Sequence, residues 1–137
     1  MKRHVDDKHR FFKLDRMNQL MELLDFPHHK FPSVHVTGTK GKGSTASLIA
    51  STLQASGYKV GLYTSPHLED FRERIIVNGE MISEREVIAL ADQMRPLTEK
   101  VPETTTFELT TAMAFLYFAQ EKVDIAVLEV GLGGRLD

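Results

Sequence analysis

Three short segments have the hydrophobic pattern of β-strands. Val34 and Val36 alternate with polar neighbours in Ser33–Thr37, and Lys59–Thr64 and Asp124–Val130 are short apolar runs. A glycine-rich turn and a segment with helical spacing separate the first two. Strand, turn, helix and strand in that order form a βαβ unit, whose strands lie parallel in one sheet. The pattern therefore predicts an α/β fold with these three strands in a parallel sheet.

Helices are predicted to flank this sheet. Apolar residues recur three and four positions apart in Leu14–Leu24 and Ser44–Ser56, and Thr105–Gln120 is strongly apolar. At helical spacing, Phe115 and Phe118 are predicted to be core residues. The face of Ser44–Ser56 that we expect to turn inward consists of Ala46, Leu48, Ile49 and Leu53.

The middle of the chain has a different pattern. Arg74–Val77 and Glu80–Ile82 flank Asn78-Gly79, a dipeptide typical of a tight hairpin turn. The sequence thus predicts a small β-hairpin insertion between the parallel strands.

Two capping-box patterns mark the starts of helices. Ser83 with Glu86 predicts a helix that runs to about Met94 and ends at Pro96. Glu108 stands three residues after a threonine in the same arrangement, so we interpret Glu108 as a capping residue.

Composition narrows the classes of protein. The 137 residues suffice for one domain, with 42% hydrophobic residues, a formal net charge of -2 and no cysteine. This charge gives no general reason to bind nucleic acid or an anionic membrane, and no disulfide or thiolate chemistry is available. No apolar run is long enough for a membrane span, and the start lacks the features of a signal peptide. We expect a cytoplasmic protein with neither nucleic-acid nor membrane partners.

A glycine- and lysine-rich loop at the first strand–helix junction has the features of a phosphate-binding loop. Its glycines let backbone N–H groups converge, and the following helix adds positive potential. Lys42 can reach the outer phosphates of a nucleotide. The strict P-loop pattern is not met, because Gly43 follows Lys42 and Val36 stands five residues before Gly41. A surface turn is the alternative. The candidate nucleotide-binding residues are Gly38, Thr39, Lys40, Gly41, Lys42, Gly43 and Ser44.

The departure from the generic loop is informative. His35–Ser44 resembles the variant loop of folylpolyglutamate and dihydrofolate synthases, members of the Mur ligase superfamily. Tyr63–Leu68 with Glu73–Ile75 resembles the family's second signature, Leu128–Asp137 resembles the third, and Thr106–Glu108 fits the segment before it. One position differs, since the family usually has Asn where this chain has Lys40.

The resemblance implies an ATP- and Mg²⁺-dependent ligase. It would add L-glutamate to a folate or dihydropteroate carboxylate through an acyl-phosphate intermediate, and the sequence leaves open which acceptor is used. Lys42 and Glu129 would be catalytic, and Ser65 and Glu129 would hold Mg²⁺. His67 and Arg74 would bind substrate. The alternatives are a strand-end charge that reaches solvent for Glu129, a turn cap for His67 and a solvated side chain for Arg74.

Family members are several times longer than this chain. The resemblance therefore implies that residues 1–137 are the amino-terminal part of the ATP-binding domain, without the rest of that domain or the carboxy-terminal domain. We expect a monomeric parent, and self-association and no ligation by the isolated chain. The alternatives are another Mur-type ligase, a P-loop kinase or GTPase, which would need an Asp at the strand end, and a nucleotide-binding module without catalysis.

Overall fold

The computed structural model describes residues 16–37, 42–64, 71–101 and 104–129. Within this part of the chain, five strands form one sheet in the order β1-β5-β2-β3-β4. The strands are β1 (Ser33–Val36), β2 (Val60–Tyr63), β3 (Ile75–Val77), β4 (Glu80–Met81) and β5 (Ile125–Glu129).

The centre of the sheet is parallel. β5 pairs with β1 on one side and with β2 on the other, and both pairings are parallel. All four residues of β2 are buried, as expected for a strand covered on both faces. The prediction that these three strands are parallel members of one sheet is confirmed.

The predicted hairpin is confirmed and extends the same sheet. β3 pairs antiparallel with β2 and with β4, so the hairpin lies beside the parallel strands. Asn78 and Gly79 both have positive φ, 49° and 81°, as the tight turn requires. The Asn78 side chain ties this turn to β2, because its Oδ1 accepts a 2.8 Å hydrogen bond from the Val60 N–H.

Helices cover both faces of the sheet. The small cluster around Val36, Ala46 and Val127 packs α2 (Lys42–Ala55) on one face, and the larger cluster packs the other helices on the opposite face. These elements are α1 (residues 16–23), α2 (Lys42–Ala55), α3 (Glu84–Lys100) and α4 (Thr106–Gln120), with 3-10 helices at Pro27–Lys30 and Phe71–Arg74.

Proline does not end α3, so the predicted end at Pro96 is wrong. The helix continues to Lys100 with Pro96 inside it. Proline removes one helical hydrogen bond, but the residues that follow it are held by burial. Leu97 and Val101 are both core residues, and the Val101 N–H donates to the Leu97 carbonyl. Packing of this last turn offsets the local preference to stop.

The inward face of α2 also differs from the prediction at one residue. Ala46 and Ala50 are buried and Ile49 packs beside them, whereas Leu48 is 68% exposed. Two residues advance a helix by about 200°, which places Leu48 opposite Ala46. The buried face consists of residues spaced three and four positions apart, and Leu48 does not fit that spacing.

A hydrogen bond from Tyr117 joins α4 to α3. The Tyr117 hydroxyl donates to Oε1 of Glu86 at 3.5 Å. Burial, helped by the carboxylates of Glu121 and Glu86, raises the pKa of Tyr117 to about 12. The phenol therefore stays protonated at neutral pH and acts as a donor.

Gly61 allows α4 to approach the sheet closely. A Cβ atom at Gly61 would lie 2.8 Å from two ring carbons of Phe118. Phe118 is fully buried and its ring meets the Phe31 ring edge-on. The predicted core positions of Phe115 and Phe118 are confirmed.

We expect Gly61→Ala to destabilise the fold by about 1–3 kcal/mol through overpacking. Urea unfolding of the purified chain measures this loss. In a Phe118→Leu background the additional loss should shrink, because the smaller side chain leaves room for the methyl group. An unchanged free energy of unfolding in Gly61→Ala would contradict the close contact.

His28 makes stability depend on pH. Its ring lies in the first 3-10 helix, 6.1 Å from the Phe115 ring, and its Nδ1 is buried without a hydrogen-bond partner among the described residues. Burial, and then the neighbouring His29, lower the pKa of His28 below 6.5. The folded state therefore favours neutral His28, whose stabilising contribution is present above pH 6.5 and is lost as the pH falls through the folded pKa.

The melting temperature of the chain should accordingly decrease between pH 7 and pH 5. His28→Phe keeps a ring against Phe115 but cannot be protonated, so its melting temperature should fall less over that interval. His35→Gln, which removes an exposed histidine, is the control and should retain the wild-type slope. Equal slopes in wild type and His28→Phe would contradict this role of His28.

Candidate nucleotide-binding site

The carboxyl ends of the three parallel strands form one edge of the sheet. Val36 of β1 is paired with Glu129 of β5, and Tyr63 of β2 is paired with Leu128. Ligands of open α/β sheets collect at this edge. The first strand leads from here into α2, which begins at Lys42. The amino terminus of α2 therefore lies at the carboxyl edge.

The first turn of α2 is suited to an anion. The first N–H groups of a helix lack partners within it and carry positive potential, and this turn contains no acidic residue. Ser44 lies in the turn and is exposed. The predicted nucleotide ligands Gly38, Thr39, Lys40 and Gly41 lie outside the described residues, as does the side chain of Lys42, whereas the backbone of Gly43 lies in α2.

Glu129 lies on the same face of the sheet as α2. Residues alternate between faces along a strand: Val127 packs with the α2 cluster and Leu128 with the opposite one. Glu129, the next and last residue of β5, is therefore on the α2 side, and it is half-buried. The structure thus brings a carboxylate and a helix amino terminus to one corner of the fold.

Arg74 borders the same edge. It ends the second 3-10 helix, and its carbonyl accepts a 3.0 Å hydrogen bond from the Thr64 N–H, directly after β2. Its side chain is half-buried. The predicted metal ligand Ser65 and the predicted substrate residue His67 lie outside the described residues.

The residues present fit a magnesium ion in their chemistry. Mg²⁺ prefers hard oxygen ligands, usually one or two carboxylates with waters and phosphate oxygens. Glu129 and Ser44 offer a carboxylate and a hydroxyl at this corner. In the described ranges no group of three or more His, Asp or Glu side chains is arranged to hold a metal.

The capping box at the start of α4 is confirmed and includes a contact that the sequence did not predict. Thr105 Oγ1 accepts from the Glu108 N–H, and Glu108 Oε1 accepts from the Thr105 N–H at 2.9 Å. The same Oε1 lies 3.0 Å from Nε of Arg16. Glu108 is only 3% exposed, and its Oε2 has no hydrogen-bond partner among the described residues. Nothing local in the sequence indicates a partner so far away.

A second unpredicted contact lies just behind the carboxyl edge. The Tyr63 hydroxyl is 3.2 Å from Oγ1 of Thr111, and both groups are buried. It joins the end of β2 to α4.

Comparison with known proteins gives relatives that are similar over most of this chain. A dihydrofolate synthase/folylpolyglutamate synthase of Bacillus subtilis is 52% identical over 130 residues, covering 90% of this chain and 30% of that protein. A Mycobacterium tuberculosis folylpolyglutamate synthase complexed with ADP has a TM-score of 0.87 at 40% identity, covering 92% of this chain and 30% of that one. The chain is similar over most of its length to folylpolyglutamate and dihydrofolate synthases. No protein-family model matches it.

A third comparison has both ligands. A complex of a folylpolyglutamate synthase with AMPPCP and folate has a TM-score of 0.84 at 42% identity, over 90% of this chain and 32% of that one. The chain spans about a third of the length of these family members. The fold of the described residues is accordingly part of the family's Mur-ligase-like domain. None of the helices in the described part is both long and apolar enough to cross a membrane.

Proposed function

We propose that this chain supplies the nucleotide-binding part of an ATP-dependent ligase that joins L-glutamate to a folate or dihydropteroate carboxylate. The observation that carries the proposal is the corner where Glu129 and the amino terminus of α2 share one face at the carboxyl edge. Family members complexed with ADP, and with AMPPCP and folate, support it.

The reaction needs activation because a carboxylate has no adequate leaving group. In the proposed first step, a carboxylate oxygen attacks the γ-phosphorus of ATP, and ADP leaves. In the second, the amino nitrogen of glutamate attacks the acyl carbon, phosphate leaves, and the nitrogen loses a proton. Both steps bring anionic groups together, so the protein contributes mainly positioning and positive charge.

Lys42 and the backbone N–H groups of the loop at 38–44 would provide that charge. The N–H groups would bind the phosphates, and the Lys42 ammonium would contact the outer phosphate oxygens. The first turn of α2, which has backbone N–H groups that lack partners within the helix and no acidic residue, supports this assignment. Ser44, exposed in that turn, would contribute its hydroxyl.

Ser65 and Glu129 would hold the magnesium ion. Mg²⁺ would neutralise charge on the phosphates during transfer. The position of Glu129 at the end of β5, on the face of the sheet that α2 covers, supports its role. His67 and Arg74 would bind the acceptor, and the position of Arg74 beside the end of β2 supports its part. We place the reaction in the cytoplasm, without nucleic-acid or membrane partners.

The metal assignment can be tested in a chimera, in which this chain replaces the matched segment of the Bacillus subtilis relative. Glu129→Gln removes a negative ligand while keeping the side-chain shape. We expect the Mg²⁺ concentration for half-maximal ligation to rise more than about tenfold, since losing an outer-shell partner alone costs that much. A coupled assay for ADP across a Mg²⁺ series measures the change.

Glu121→Gln is the matched control. Glu121 follows α4 at the opposite edge of the sheet, where it pairs with Lys59 at 3.6 Å. This variant should keep the wild-type magnesium dependence. If Glu129→Gln also kept it, the assignment of Glu129 as a metal ligand would be wrong.

A further inference from the structure

The Tyr63–Thr111 hydrogen bond lies between the candidate site and the core. Tyr63 is 7% exposed and Thr111 is 3% exposed, and their oxygens are 3.2 Å apart. The Tyr63 ring packs in the cluster between the sheet and α4. A buried hydroxyl that loses its partner carries the full penalty of its lost hydration. Separating the Tyr63 and Thr111 hydroxyls is therefore unfavourable, and this penalty stabilises their contact.

The Tyr63–Thr111 hydrogen bond lies beside the carboxyl ends of β2 and β5. Tyr63 is paired with Leu128 of β5 on one side and with Ile75 of β3 on the other. The next residues along the two parallel strands are Thr64 and Glu129. A shift of Tyr63 relative to α4 would therefore move the backbone on which Glu129 lies.

Packing alone would fix the position of Tyr63 relative to α4 less narrowly than the hydrogen bond does. Apolar contact between a ring and a helix is non-directional, whereas a hydrogen bond fixes both a distance and an angle. A phenylalanine would fill the same space in the core. The hydroxyl adds a defined position along the strand.

We propose that Tyr63, together with Thr111, is a positioning residue that sets the carboxyl ends of β2 and β5 against α4. In this role it keeps Glu129 in place for the Mg²⁺ of the bound nucleotide. The inference rests on the proposed function, in which Glu129 is a metal ligand.

Tyr63→Phe in the 137-residue chain tests the proposal, with Tyr117→Phe as the matched control. Tyr117 also donates from α4 to a partner in the fold, but at the other end of the helix, to Glu86. The first readout is amide hydrogen exchange without ligand, followed at Thr64 and Glu129. Exchange at these two residues should become roughly fivefold faster in Tyr63→Phe, as expected for a lost hydrogen bond. It should change less than twofold in Tyr117→Phe.

The second readout is the Mg²⁺ dependence of ATP binding, followed by NMR at fixed ATP. Tyr63→Phe should raise the Mg²⁺ concentration for half-saturation about tenfold, as the loss of an outer-shell partner does, and Tyr117→Phe should leave it unchanged. Thr111→Val should change both readouts in the same direction as Tyr63→Phe. The double variant should change them by less than the product of the two single effects, because both substitutions remove the same Tyr63–Thr111 bond.

The outcomes separate the two proposals. Equal exchange at Thr64 and Glu129 in Tyr63→Phe and Tyr117→Phe would overturn the positioning role, whatever the chain binds. A shift in exchange without any shift in magnesium half-saturation would also overturn it, because the bond would then be structural only. If wild type shows the predicted exchange pattern but binds no ATP with Mg²⁺, the proposed function fails in this chain, and the role toward Glu129 fails with it.

Discussion

Lys42→Ala in the chimera should lower kcat/KM for ATP by roughly 100-fold to 1,000-fold. Removing one charge-stabilising group from a desolvated transition-state site has that size of effect. Lys42 opens α2 at the carboxyl edge, where the first-turn N–H groups already favour an anion. Its ammonium would add a full charge to those partial charges. The steady-state rate of ADP release across an ATP series gives the value.

Lys100→Ala is the control for this change. Lys100 is an exposed lysine at the end of α3, in the last turn. Its replacement should leave kcat/KM within about twofold of wild type, as surface substitutions usually do. A Lys42→Ala variant that matched Lys100→Ala would show that the lysine does not contact the phosphates, and the surface-turn alternative would then apply.

The central architecture could be predicted because each of its signals is local. Alternation around Val34 and the apolar runs at the other two strands predict the three strands, and the strand–helix–strand order favours a parallel arrangement. Asn78-Gly79 predicts its hairpin because both residues tolerate positive φ. The pairing of that hairpin with β2 is a tertiary property, which the local hairpin pattern does not predict.

The two errors, at Pro96 and at Leu48, have different causes. Pro96 is a correct signal for a helix end, but burial of Leu97 and Val101 keeps one further turn of α3. Leu48 is apolar, and hydrophobicity without its angular position misplaces it on the inner face. The Pro96 prediction failed because burial of the residues after it is a tertiary property, and the Leu48 prediction failed because its angular position on the helix was not considered.

The candidate site also has features that local sequence predicts and contacts that it does not. The first turn of α2 and the Glu129 carboxylate could be predicted from the sequence, because a loop motif and a strand end are local features. The Arg16–Glu108 ion pair and the Tyr63–Thr111 hydrogen bond join residues 92 and 48 positions apart. No single segment reports such a contact. Groups that support a site from behind are therefore harder to predict than groups that line it.

The 137-residue chain alone should form no glutamylated product, whereas the chimera should form it. Ligation requires ATP, a folate and glutamate to be held together, and this chain spans 30% of the Bacillus subtilis relative. The described surface also favours self-association. β1 is an outer strand of the described sheet, and outer strands can pair with another copy. Leu48 adds an exposed apolar side chain on α2.

Incubation of each protein with dihydropteroate or a folate, L-glutamate, ATP and Mg²⁺, followed by mass spectrometry, tests this expectation. Sedimentation velocity of the isolated chain should show species larger than a monomer at micromolar concentration. The chimera with Lys42→Ala controls for contaminating ligase, because its product should fall with the loss in kcat/KM. Product formed by the isolated chain, in proportion to its concentration and absent in its Lys42→Ala variant, would show that these residues suffice for catalysis. A chain that binds ATP without product, beside an active chimera, would be a nucleotide-binding module that becomes catalytic only with the remaining segments.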